Sequence, residues 1–65
     1  MYSRLKAEIG SRRLTQTEIA DALDITQQTV SRKLLGKNEF TLSECFAIKK
    51  MLKTNLSIDH LFNKE

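Results

Sequence analysis

Two helix start signals, at Thr15 and Thr26, lie so close together that only about two turns of helix and a very tight turn fit between them. Thr15-Gln16-Thr17-Glu18 has the form of a capping box: the threonine hydroxyl satisfies one orphan amide and the glutamate carboxylate another. Ile19, Ala20 and Leu23 supply the inward face of the helix that follows. Asp24-Ile25 makes a short break, and Thr26 caps the next helix. That helix stops at Gly36, because glycine accepts the left-handed backbone a helix C-terminus often needs. Small Ala20 lets the two helices approach closely, and Ile25 and Val30 fill the space between them. This spacing forces two short helices to cross at a steep angle.

The rest of the chain is helical as well. Leu5 and Ile9 share one face of a first helix, roughly Ser3 to Arg12. Thr41-Leu42-Ser43-Glu44 repeats the capping box and opens a fourth helix to about Leu52, with Leu42, Cys45, Ile48 and Leu52 on the helical period. Ser57 starts a last short helix carrying Ile58, Leu61 and Phe62 at spacings of three and four. Nothing alternates with period two, and there is no proline, repeat or low-complexity tract. The expected fold is all-α: one compact five-helix domain over residues 1–65, with a helix-turn-helix unit at about 15–36.

Size and composition limit what such a domain can do. At 65 residues the surface-to-volume ratio leaves folding only marginally favourable. Cys45 is the only cysteine, so an intrachain disulfide is impossible, and it reads as a buried small hydrophobe. A small domain without staples often leans on oligomerisation. The last helix, through Ile58, Leu61 and Phe62, is the expected dimer interface; Phe46 and Met51 sit at the margin of their helix's inward arc. No apolar run is long enough to span a membrane and no signal-peptide pattern opens the chain, which points to the cytoplasm. His60 has no second histidine or cysteine at metal spacing, and Ser31, Asp59 and His60 lack a glycine-rich oxyanion loop. Neither catalysis nor a metal, cofactor or small-molecule ligand is expected.

The outer face of the third helix is more informative. At about 100° per residue, Val30 and Leu34 point to one side, towards the core. Gln28, Ser31 and Arg32 lie opposite, and Gln27 projects from the exposed first turn. Glutamine presents a donor and an acceptor together, matching N6 and N7 of adenine, and arginine matches O6 and N7 of guanine. A generic solvated helix more usually carries glutamate and lysine, whereas residues 26–35 contain no acid. Between residues 26 and 53, six bases (Arg32, Lys33, Lys37, Lys49, Lys50 and Lys53) stand against Glu39 and Glu44 alone. A basic middle suits a polyanion, although Lys49, Lys50 and Lys53 also read as solubilising charges near a helix C-terminus. The pattern favours DNA binding over a plain packing helix.

The stretches Leu14 to Ala20, Ile25 to Leu34 and Gly36-Lys37 resemble the Cro/XRE helix-turn-helix family of phage and bacterial regulators. Phe40-Thr41-Leu42, Glu44, Ile48 and the closing Ser57 to Phe62 extend the resemblance over nearly the whole chain. It implies a lambda-repressor-like fold and assigns roles. Gln27, Gln28 and Arg32 match base-reading positions, with Thr26 and Ser31 as accessory contacts. Gln16 matches a phosphate-gripping position at a helix N-terminus, where free amides and the dipole favour anions. Lys37 and Asn38 match a second phosphate-contacting segment; Lys33 either reaches a phosphate or is simply solvated.

Two positions depart from the pattern. Asp24 stands where glycine is usual, at a small cost, and Leu35 stands where many relatives carry asparagine. Leu35 either touches a thymine methyl or covers the helix C-terminus, the second being favoured. The resemblance implies a Cro-like phage repressor that binds a palindromic double-stranded operator as a homodimer. The alternatives are a DNA-binding antitoxin and a protein-interaction module that has lost DNA binding.

Overall fold

A computed structural model describes residues 2–63. Its helices are α1 (Ser3–Ser11), α2 (Gln16–Leu23), α3 (Gln27–Leu34), α4 (Leu42–Leu52) and α5 (Ile58–Leu61), with no strand among the described residues. The start signals work as their chemistry requires. Thr15 Oγ1 accepts from the Glu18 amide at 3.1 Å, and the Thr15 amide donates to Glu18 Oε1 at 2.9 Å. Thr41 and Glu44 form the same reciprocal pair at 3.2 and 2.9 Å. Thr26 and Ser57 cap α3 and α5 by accepting from the amides of Thr29 and His60.

The ends of α1, α2 and α3 share one device. At Gly36 (φ 83°), the Lys37 amide reaches back to the Arg32 carbonyl and the Gly36 amide to that of Lys33, which closes α3 in a Schellman turn. Asp24 closes α2 in the same way at φ 58°, with the Ile25 amide on the Ala20 carbonyl. Aspartate does tolerate the left-handed conformation at this position. Arg13 repeats the turn after α1 at φ 56°, where no glycine announces it.

The core is built from Leu5 and Ile9 of α1, Ile19 and Ala20 of α2, Val30 and Leu34 of α3, Ile48 and Leu52 of α4, and Leu61 of α5. Tyr2, just before α1, is buried with them. Its ring meets Phe40 and Phe62 edge-on, with centroids 5.3 and 6.1 Å away, and Phe40 meets Phe62 at 5.1 Å. Such edge-to-face contacts stabilise beyond the area they bury. They tie both ends of the described chain to the loop before α4. Arg12 adds a polar tie: its Nε donates to the Leu52 carbonyl at 2.6 Å, satisfying an orphan acceptor at the end of α4.

Two sequence expectations are corrected here. Leu61 is 0 % exposed, so it packs into the domain's own core and is not available to a partner, whereas Phe62 is half-buried within the aromatic cluster. Ile58 is half-buried. Leu42, expected on the inward period of α4, is 65 % exposed, and Phe46 on the same side is 56 % exposed. By azimuth Leu42 lies about 90° from the centre of the Cys45–Ile48–Leu52 arc, beyond the reach of the core.

Candidate nucleic-acid interface

α2 and α3 form the site. The left-handed residue at Asp24 turns the chain sharply, and Ala20, buried beneath, leaves room for α3 to pack close against α2. Val30 and Leu34 anchor α3 from below. Gln27, Gln28 and Arg32 are all exposed, and Arg32 and Gln28 lie one turn apart on the face opposite Val30. An amide and a guanidinium so placed can reach neighbouring base edges in a major groove. Ser31 is half-buried at the edge of this face. Thr26 is exposed, but its hydroxyl is engaged by the Thr29 amide and by Thr29 Oγ1 at 2.8 Å, so its first role is to start the helix.

Gln16 is the first residue of α2 and stands half-buried where the helix's orphan amides point outwards. Lys37 and Asn38 are exposed in the turn after α3. Leu35 closes α3 at 43 % exposure.

Lys33 is the exception. It is only 8 % exposed, its Nζ donates to Glu44 Oε1 and to the Glu39 carbonyl at 2.8 Å each, and it lies 5.8 Å from the Phe40 ring centroid. A phosphate contact or free solvation is therefore not its role: the ammonium is already coordinated inside the domain, where it ties α3 to the start of α4. The helical wheel carried the signal, because Lys33 falls only about 60° from Val30 on the inward side. Its partner, eleven positions along the chain, left no local trace.

This pair sets an expected pH response. Burial by itself would raise the Glu44 carboxyl. The hydrogen bond from Lys33, the Thr41 amide and the attraction of the Lys33 charge together outweigh it and hold the group below its ordinary 4.5. A lowered folded-state value contributes stability that is complete above the unfolded value and is lost as pH falls through the folded one. Thermal melts between pH 7 and pH 3 should thus show acid destabilisation setting in below about 4.5 and deepening at lower pH. Glu44→Gln should make that fall shallower; an unchanged acid limb in this variant would mean that Glu44 is not the group responsible.

A tightly packed pair of short helices, the second with an acid-free outer face of exposed glutamines and an arginine, has the form of a helix-turn-helix. The Helix-turn-helix family model matches residues 5–58, from within α1 to the start of α5. The chain belongs to this family, in its Cro/XRE branch, and is a regulator that binds double-stranded DNA. Neither curated proteins nor solved structures give a match. No helix is long and apolar enough to cross a membrane among the described residues.

Proposed function

We infer that the protein is a Cro-like transcriptional repressor that binds an approximately palindromic operator as a pair of copies. The observation that carries this reading is the exposed Gln28–Arg32 pair on the acid-free face of α3. In this account each copy inserts α3 into a major groove, with half-sites about 34 Å apart along the duplex. Gln27, Gln28 and Arg32 read base edges, with Ser31 and Thr26 beside them. Gln16, Lys37 and Asn38 grip phosphates, fix the register and contribute the salt-dependent part of affinity. Lys33 belongs to the scaffold and not to the contact surface. Repression follows when the bound pair occludes a promoter.

Two substitutions separate the two kinds of contact. Arg32→Ala should cost about 1–3 kcal/mol on the operator and relax specificity at one base pair, whereas Lys37→Ala should weaken all sequences alike and lower the salt slope by about 1. Titrations of operator and single-base variants at several salt concentrations measure both. An Arg32→Ala loss that is uniform across sequences would remove Arg32 from base reading.

A further inference from the structure

Beside the solvent-exposed Phe46 runs a shallow groove of about 170 Å³ between α2 and α4, lined by Ala22, Leu23, Ser43, Glu44 and Ala47. A cavity of about 150 Å³ accepts a benzene molecule, so the groove has room for one phenyl ring. Leu42 and Phe46 form a ridge one turn long along α4, and the small Ser43 and Ala47 form the adjacent row. Knob and hole thus lie side by side on one surface. That is the arrangement of an isologous contact, in which a two-fold axis sets the knob of each copy into the hole of the other.

The charges around the groove are complementary in the same sense. α2 carries Glu18 and Asp21 and no base, and both acids are exposed within a turn of Ala22. α4 carries Lys49 and Lys50 in its last turn, and Lys50 lies one turn beyond Phe46. None of the groove residues belongs to the DNA-reading set, so its occupation leaves the outer face of α3 free.

We propose that the α2–α4 groove, with Phe46 as its knob, is the surface through which two copies of this chain associate. The proposal rests on the reading that the operator is bound by a pair of copies, and it replaces α5 as the contact. Phe46 of each copy fills the partner's groove, Leu42 flanks it, and the lysines at the end of α4 approach the partner's acidic α2. Exposed aromatics seated in a partner's pocket are the usual carriers of association energy.

Sedimentation equilibrium of the DNA-free protein from micromolar to millimolar concentration tests this. The wild type is expected to show a monomer–dimer equilibrium. Phe46→Glu should weaken it on the order of 30-fold or more, with its circular dichroism spectrum and its binding to a single DNA half-site unchanged. Lys50→Glu should also weaken it, and adding Asp21→Lys should restore association, a rescue that damage to folding would not produce. A wild type that stays monomeric at millimolar concentration, or a Phe46→Glu variant that dimerises normally, overturns the proposal. Half-site binding without dimerisation would sink only this inference, whereas dimerisation through Phe46 without any DNA binding would sink the functional reading and leave the inference standing.

Discussion

Glu44→Ala is expected to lower the free energy of unfolding by about 1–3 kcal/mol, the cost of removing a charged hydrogen-bond partner from a part-buried ion pair. The Lys33 and Glu44 side chains are 10 % and 15 % exposed, and without Glu44 the ammonium keeps only the Glu39 carbonyl as acceptor. The same substitution deletes half of the Thr41 capping box, because a single oxygen, Oε1, accepts from both Lys33 Nζ and the Thr41 amide. A core of this size rarely supplies more than about 3–5 kcal/mol, so the loss should be a large share of the total stability. Urea denaturation followed by circular dichroism measures the loss, and Glu44→Gln, which keeps an acceptor in place, should lose distinctly less. A deficit under about 1 kcal/mol for Glu44→Ala would put the pair in the class of exposed surface bridges. It would also remove the argument that Lys33 ties α3 to α4.

Leu61→Ala is the second large effect, at about 2–5 kcal/mol for truncating a fully enclosed leucine. Leu61 is inaccessible to solvent and packs within the cluster that holds Tyr2, Leu5 and Leu52. Its removal should appear as a lower urea midpoint at dilute protein concentration, where self-association contributes nothing. Were Leu61 an interface residue, the dilute midpoint would be unchanged and the loss would appear only as weaker dimerisation in sedimentation.

These two residues mark the boundary of what the sequence made legible. Features encoded within a few residues could be read directly: the capping boxes at Thr15 and Thr41, the caps at Thr26 and Ser57 and the stop at Gly36. Each depends on hydrogen bonds between neighbours in the chain, so spacing alone specifies it. The inward faces of α1, α2 and α3 followed from periodicity for the same reason. Periodicity names an apolar face but not what covers it. Leu61 and Phe62 have the same pattern whether they meet their own core or a second copy, and only the packing of Tyr2 and Phe40 around them decides. Tyr2 stands outside any helix and has no period to reveal it.

The candidate site divides in the same way. The outward positions of Gln28 and Arg32 followed from the wheel, since exposure needs no partner to be specified. The wheel also set Lys33 on the inward arc, but it could not name the groups that hold the charge there, Glu39 and Glu44, which lie further along the chain. The exposure of Leu42 was hidden for the opposite reason: an apolar residue near the helical period invites assignment to the core, whereas Phe46 already stood at the margin of that arc.

Selection of bound duplexes from a random pool, repeated at two salt concentrations, shows whether α3 reads DNA sequence. Enrichment of one short palindrome with fixed half-site spacing is expected at both concentrations, with lower yield at higher salt. A pool that remains random after selection at both concentrations would contradict it.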